Sequence, residues 1–150
     1  AFYKDKNSVY YVDMTEDKQE LKKLEGADAD TFELGIFSKD KNSVFIDKQR
    51  LEGVSPKGFE VLNSDLNFIK DYKNVFYLDR ADDGITFIPR VQNTEGVDVA
   101  TLEFAGGHYS KYYKDKNNVY FSLKSFISFY EGKFKLLIHL SEKRFVMDFG

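Results

Sequence analysis

One short stretch of sequence recurs in four related copies along this chain, so any fold must accommodate all four. The first copy is residues 4–11 (KDKNSVYY), and the others are 39–45 (KDKNSVF), 70–77 (KDYKNVFY) and 114–121 (KDKNNVYF). An aromatic residue lies three positions before each Asp, and a Val lies four positions after it. Self-similarity at a spacing of tens of residues is typical of proteins built from repeated structural units.

Each copy has the composition of a β-hairpin, with aromatic and β-branched residues on both sides of a polar bend. Asp and Asn suit a bend because their short side chains bond to nearby backbone, and Asn tolerates the left-handed conformation. We therefore predict a type I turn centred on Asp5 and Lys6, with Asn7 left-handed behind it. The third copy has Lys73 at the Asn position, so we expect its loop to be one residue longer, with Asn74 left-handed.

The strand after each bend carries bulky residues on both faces. Period-two alternation places Val9 and Tyr11 on one face and Tyr10 on the other. Strands of this kind are covered on both sides or stack on copies of themselves. The Lys before each Asp is predicted to be solvated at the end of the preceding strand; these residues are Lys4, Lys39, Lys70 and Lys114.

A second pattern recurs between the hairpins, in segments 26–34, 53–61 and 96–104, which we call the linker segments. Each contains a Gly bend, a buried Ala or Val, and an N-cap residue (Asp28, Ser55 or Asp98) that predicts one helical turn. A short strand with an exposed Glu follows. Residues 15–25 are also predicted to form a short helix, with Thr15 as its N-cap.

These elements predict a mainly β fold in which antiparallel meander or hairpin units are joined by short helical turns. The units would form a curved repeat sheet, with propeller-like closure as the alternative. We expect one domain, 1–150, with units of about 1–25, 26–52, 53–95 and 96–150. An extra strand is predicted at 85–89, a flexible joint at 106–108, and a closing hairpin from 134–140 and 145–149.

On these residues the chain resembles the DKNYY family of bacterial repeat proteins. The Asp-Lys-Asn bend at 5–7, followed by Tyr10 and Tyr11, is similar to the string that names the family, and segment 26–33 is similar to its linking element. The resemblance covers residues 1–77 and 96–121. It implies the repeat fold, but the family carries no established activity or catalytic residues that could be transferred.

Composition excludes several classes of function. The 22 basic and 25 acidic residues are interspersed and give a net charge of −3, so the chain lacks the clustered basic residues that a nucleic-acid binder needs. No run reaches transmembrane length and no signal-peptide pattern is present, although a start at Ala1 without Met is compatible with a removed leader. The absence of Cys excludes disulfides and thiolate chemistry.

Candidate sites are few, and each has a simpler structural explanation. Neither histidine, His108 or His139, accompanies a nucleophile motif or a metal-ligand spacing. Two carboxylate clusters could hold Ca²⁺, but turn and cap roles are commoner for Asp, and neither cluster fits an EF-hand loop. The clusters are Asp28, Asp30 and Glu33, and Asp79, Asp82 and Asp83. We therefore predict no catalytic, cofactor-binding or metal-binding residue, and no cofactor.

The sequence favours a non-catalytic protein-binding or scaffold module of bacterial origin, located in the periplasm or at the cell surface rather than in the cytoplasm. The expected partner is another protein, and the sequence does not indicate an oligomeric state. One alternative is an immunity-type protein that occludes a toxin, with acidic residues 79–83 steering a basic partner. Others are a glycan-binding module or an enzyme whose site lies in 78–108 or 122–150.

Overall fold

The computed structural model describes residues 1–63, 65–106 and 111–122. Of these residues 44% lie in strands and 3% in helical turns, which confirms the mainly β prediction. A 3-10 turn spans Val99–Thr101. The strands are β1 (Phe2–Lys4), β2 (Val9–Thr15), β3 (Lys18–Lys23), β4 (Phe37–Lys39), β5 (Val44–Ile46), β6 (Gln49–Arg50), β7 (Glu60–Val61), β8 (Phe68–Lys70), β9 (Val75–Arg80), β10 (Phe87–Val91), β11 (Glu103–Gly106), β12 (Lys111–Lys114) and β13 (Val119–Ser122).

The strands form antiparallel sheets in the orders β1-β2-β3, β4-β5-β6, β10-β9-β8-β7 and β11-β12-β13. Each copy of the repeated stretch is the hairpin of one sheet, as predicted. The four hairpins share one register, in which the Lys before the bend lies opposite the Val after it. These pairs are Lys4 with Val9, Lys39 with Val44, Lys70 with Val75, and Lys114 with Val119.

The predicted turn geometry is wrong. The loop between β1 and β2 holds four residues, 5–8, and is closed by a bond from Asp5 N–H to Ser8 O at 3.1 Å. Asn7 is not left-handed, because the non-glycine residues with positive φ in the described ranges are Asp47 and Leu66. The third loop, 71–74, also holds four residues, so it has no insertion before Asn74. The Asp side chain closes the bend by accepting N–H groups, so no left-handed residue is needed.

The predicted helix at 15–25 is also wrong, because this segment completes a hairpin. Strand β2 continues to Thr15, and β3 pairs with it over six residue pairs after a two-residue turn. Thr15 Oγ1 bonds to Lys18 O instead of capping a helix. Leu24, within the predicted helix, is buried and donates its N–H to Val9 O. Sheet pairing therefore overrides a weak helical pattern.

The linker segments follow the prediction at their starts. Gly26, Gly53 and Gly96 all have φ near +78°, a left-handed conformation that favours glycine. Asp98 caps the turn at Val99–Thr101, and Asp28 accepts the Thr31 N–H in the same way. The predicted joint at 106–108 lies mostly outside the described residues, and the closing hairpin lies wholly outside them.

The chain divides into two compact units, Ala1–Lys57 with Arg80–Pro89, and Gly58–Asp79 with Arg90–Gly150. The first has a buried cluster of Val9, Leu24, Ala29 and Phe45. The second has a buried cluster of Leu62, Phe68, Val75, Leu102, Tyr113 and Tyr120. Each cluster combines residues from two hairpins and the linker segment between them, so no hairpin has a core of its own.

Burial on both strand faces holds for the second and third copies, where Val44, Phe45, Val75 and Phe76 are all buried. The prediction that the Lys before each Asp is solvated fails at Lys70, which is only 3% exposed. Its ammonium donates to Val99 O at 2.8 Å and Ala100 O at 3.0 Å. A buried Lys of this kind requires acceptors, and the linker carbonyls supply them.

We predict that Phe45→Ala will destabilise the protein by about 3–5 kcal/mol, because it removes a fully buried ring from the first core. Ile36→Ala is the control, since Ile36 is largely exposed and its truncation should change stability by less than about 0.5 kcal/mol. Urea unfolding of the two variants and the parent measures both effects. Equal midpoints for all three proteins would contradict the assignment of this core.

Candidate functional site

Every loop of the repeated stretch is held by the carboxylate of its first residue. In the second copy, Asp40 Oδ1 accepts the N–H groups of Asn42 and Ser43, each at 2.7 Å. An ionised acceptor makes such bonds stronger than neutral ones. The same pair of bonds occurs at Asp5, Asp71 and Asp115.

The second oxygen of Asp40 binds the linker segment that precedes its hairpin. Asp28 N–H donates to Asp40 Oδ2 at 2.7 Å, and Lys41 N–H donates to Thr31 Oγ1 at 3.0 Å. The Lys41 ammonium returns to Asp28 Oδ2 at 2.8 Å. We call these three contacts the linker clamp, since they bind the linker segment to the loop.

The fourth copy has the same clamp, although it lies in the other compact unit. Asp98 N–H donates to Asp115 Oδ2 at 2.8 Å, and Lys116 N–H donates to Thr101 Oγ1 at 3.0 Å. The Lys116 ammonium lies 2.7 Å from Asp98 Oδ2. Because the same residue types make the same bonds in two separate units, the clamp is a property of the two sequence patterns together.

The strand end of each linker segment also pairs with the hairpin that follows. Glu33 N–H donates to Lys39 O at 2.7 Å, and Lys39 N–H donates to Glu33 O at 3.0 Å. In each case the Glu carboxylate lies within 3.5 Å of the Lys ammonium. The pairs are Glu33 with Lys39, Glu60 with Lys70, and Glu103 with Lys114.

An apolar residue of the linker segment covers the hairpin beneath the clamp. The Phe32 ring lies edge-on to Phe45, with ring centres 5.9 Å apart, and 6.0 Å from the ring of Phe2. In the second unit, Leu102 occupies the equivalent position and is buried with Phe68 and Tyr120. The linker segment is therefore a layer packed between two hairpins.

The clamp changes the acidity of its own groups. Burial acts to raise the pKa of Asp115, but hydrogen bonds from Asp98 N–H, the Tyr120 hydroxyl and the loop N–H groups outweigh it and lower that pKa. Burial, together with the bond to Asp115, raises the pKa of Tyr120 to about 12. A hydrogen bond from Lys41 lowers the pKa of Asp28. The clamp therefore favours ionised carboxylates.

The first copy has the loop without a clamp. Asp5 is exposed, and its Oδ2 accepts the Tyr10 hydroxyl at 3.0 Å. Among the described residues, the N–H and the ammonium of Lys6 have no hydrogen-bond partner. Strand β1 is an edge of its sheet, so no linker strand from the described residues lies beside Lys4.

Residues of the first copy, which lacks the clamp, are more exposed than the equivalent residues of the other copies. Tyr3 is 54% exposed, whereas Ser38, Ile69 and Tyr113, which occupy its position in the other copies, are at most 1% exposed. Tyr10 is half-buried, whereas its equivalents Phe45, Phe76 and Tyr120 are buried. The face that is covered in the other three copies is open in the first.

This open face extends across all three strands of the first sheet. The register places Tyr3 opposite Tyr10 and Val12 opposite Leu21, with Met14 further along β2. Met14 and Leu21 are 69% and 61% exposed. We call these five residues the outer face. Contiguous exposed apolar side chains on one surface mark interaction sites.

The opposite side of the same sheet carries an ionic cluster. Asp13 accepts bonds from the ammonium groups of Lys22 and Lys48, which hold its pKa at about 2. Lys48 also lies 5.3 Å from the centre of the Tyr11 ring. A depression of about 240 Å³ lies beside Asp13, where Asp13 and Lys48 already bond to each other. The cluster therefore fits a structural role.

The carboxylates singled out in the sequence have turn and pairing roles. Asp28 belongs to the clamp and Glu33 pairs with Lys39, while Asp30 is exposed. Asp79 bonds to Arg90 at 2.7 Å, Asp83 accepts three bonds from Ile85 and Thr86, and Asp82 is exposed. In the part of the chain that is described, no three His, Cys, Asp or Glu residues form a metal-binding group. His108 and His139 lie outside that part.

Comparisons with protein-family models, with curated proteins and with solved structures return no match for this chain. Within residues 1–63, 65–106 and 111–122, no helix combines the length and the apolar character that crossing a membrane requires.

Sequence reasoning missed the outer face, because it assigned Leu21 to a helix. The signal was present: alternation continues from Tyr10 through Val12 to Met14, and a second polar segment of matching length follows the turn at 16–17. Extending the hairpin pattern across that turn would have placed Leu21 beside Val12.

We predict that Asp40→Ala will destabilise the protein by about 1–3 kcal/mol, because three N–H groups lose their acceptor. Asp82→Ala is the matched control, since Asp82 is an exposed turn residue and its loss should cost less than about 0.5 kcal/mol. Urea unfolding measures both variants. If they were equally stable, the carboxylate would not anchor the loop.

We predict that stability will be constant from pH 7 to about pH 5 and will fall below about pH 4. The pKa values of Asp5, Asp28, Asp98 and Asp115 are lowered in the folded protein, so the stability they contribute is present above their unfolded pKa. It is lost as these groups are protonated, and Asp13 extends the range towards pH 2.

Urea midpoints measured between pH 7 and pH 2.5 follow this loss. Asp115→Asn should be less stable at pH 7 and should show a shallower decline in acid, because it removes one of the titrating groups. A variant whose decline is as steep as that of the parent would show that Asp115 does not contribute to the acid sensitivity.

Proposed function

We propose that this chain is a non-catalytic protein-binding or scaffold module that contacts its partner through the outer face. The observation that carries the proposal is that Tyr3, Met14 and Leu21 are exposed on one side of the first sheet, while the residues equivalent to Tyr3 in the other copies are buried. Burial of such side chains against a partner is the main favourable contribution to association.

The surroundings of the outer face also favour a protein partner. Strand β3 is entirely exposed, and its Lys23 lies opposite Tyr10 on the same face as Leu21. An apolar centre with a charged rim is the usual organisation of a protein interface. Lysines on an edge strand also oppose uncontrolled strand-to-strand association. A bacterial origin, and the periplasm or cell surface, belong to the same proposal and rest on the resemblance to DKNYY proteins.

The immunity-type alternative has less support. It required the acidic residues at 79–83 to attract a basic toxin, but Asp79 is paired with Arg90 and Asp83 is bonded within its own turn. The glycan-binding and enzymatic alternatives place their sites in 78–108 or 122–150. Within the described part of those ranges, no three His, Cys, Asp or Glu residues form a group that could hold a metal ion for either alternative.

The test is affinity capture with surface variants, using extracts of the source cell. We expect Leu21→Glu to reduce the retained partner at least tenfold, since it places a charge on the outer face beside Val12. Ile85→Glu is the control, because Ile85 is 74% exposed and lies outside the outer face. Mass spectrometry measures the retained protein, and thermal unfolding verifies that both variants are folded.

A partner that the parent and Ile85→Glu retain equally, and that Leu21→Glu loses, would support the proposal. Equal retention by all three proteins would place the binding surface elsewhere. Selective retention of a polysaccharide, or turnover of a substrate, would replace the proposal with the glycan-binding or enzymatic alternative.

A further inference from the structure

We infer that the outer face binds a polypeptide segment of the linker type, with the pattern Gly-x-Asp-x-x-Thr, then an apolar residue and Glu, supplied by another protein. The inference rests on the proposed function and names the chemistry of its partner. The sequence contains this pattern in segments 26–33 and 96–103, and both are clamped on the loops of their own hairpins. Neither is therefore available to the first loop.

The first loop presents the atoms that the clamp uses elsewhere. Asp5 Oδ2 corresponds to the oxygen of Asp40 that accepts the linker N–H. Lys6 N–H corresponds to the donor that the linker Thr accepts, and its ammonium to the group that pairs with the linker Asp. The first loop therefore holds in position the groups that would make two hydrogen bonds and one ion pair with a linker-type segment.

The fourth copy shows that Tyr10 does not block this arrangement. Asp115 Oδ2 accepts both the Tyr120 hydroxyl at 2.7 Å and the Asp98 N–H at 2.8 Å. Tyr10 bonds to Asp5 Oδ2 in the same way as Tyr120 bonds to Asp115. One oxygen can therefore hold the tyrosine and an incoming N–H group together, since a carboxylate oxygen has two lone pairs.

The edge of β1 provides the backbone part of the site. In the other three copies, the Lys before the loop pairs with a linker Glu through the backbone or in strand register. Lys4 lies at the same position, on an edge strand without such a neighbour among the described residues. Addition of an extended segment to a sheet edge is a common mode of peptide recognition.

The apolar part of the site lies beside this edge. In the second copy the linker residue Phe32 packs on Phe45. At the equivalent place the outer face offers Tyr10, with Tyr3 exposed beside it. An aromatic residue of the incoming segment would cover these two rings as Phe32 covers Phe45. Hydrogen bonds, charge and apolar contact therefore specify the same occupant.

The direct test uses a synthetic peptide with the sequence of residues 26–34, GADADTFEL. In a titration followed by backbone amide NMR, we expect shifts at Lys6, Ser8 and Tyr10 and a Kd below about 1 mM. A peptide in which Ala replaces the Thr and the Phe should bind at least tenfold more weakly. Lys6→Glu should weaken binding at least tenfold, and the control Lys18→Glu by less than twofold.

A second variant fills the site from within the same chain. Adding the sequence of residues 26–35 directly before Ala1 places its first Asp twelve residues before Asp5, which is the interval between Asp28 and Asp40. This extension should raise the thermal midpoint and abolish peptide binding. The same extension with Ala in place of that Asp and of the Thr should do neither.

Peptide binding that the extension blocks and Lys6→Glu weakens would support the inference. If the peptide does not bind and the extension does not stabilise the protein, the inference is wrong, while a captured partner sensitive to Leu21→Glu would still uphold the proposed function. If the extension stabilises the protein but the peptide does not bind, supply by another protein is excluded. A dimer that the peptide dissociates would identify a second copy as the occupant instead.

Discussion

The structure depends on one carboxylate at the start of each loop. Its first oxygen accepts two N–H groups of the bend, which explains why four loops of different sequence have the same length and register. At Asp40 and Asp115 the second oxygen accepts an N–H of the linker segment. One charged group thus closes a hairpin and docks its neighbour, and an ionised acceptor makes both sets of bonds strong.

The linker segments convert these local bonds into tertiary structure. Each described segment contacts the loop of the hairpin that follows, and two of them also accept the ammonium group of the preceding hairpin, from Lys4 to Ala29 O and from Lys70 to Val99 O. Apolar residues beneath them, Phe32 and Leu102, complete the two cores. Small hairpins are only marginally stable in isolation. Burial of linker residues between two hairpins therefore supplies stability that neither hairpin has by itself.

This organisation gives the first hairpin its distinctive surface. It has the Asp, the Lys and the tyrosine of a clamped loop, but among the described residues no linker segment lies on it. The exposure of the Tyr3 side chain is therefore a consequence of an unfilled position in a recurring arrangement. The proposed protein-binding role and the nature of the proposed partner both follow from that position.

The repeated pattern alone was enough to predict the hairpins, the glycine bends and the capped linker turns, because each depends on contacts within a few residues. It was not enough at Asn7, where a side-chain acceptor replaced the expected left-handed residue, or at residues 15–25, where pairing with β2 outweighed a weak helical pattern. Only the tertiary structure decided that Lys70 is buried and that Tyr3 is exposed, since both depend on how segments distant in the sequence pack over equivalent positions. Local sequence determines which bonds a loop can make, and the packing of distant segments determines which of those bonds form.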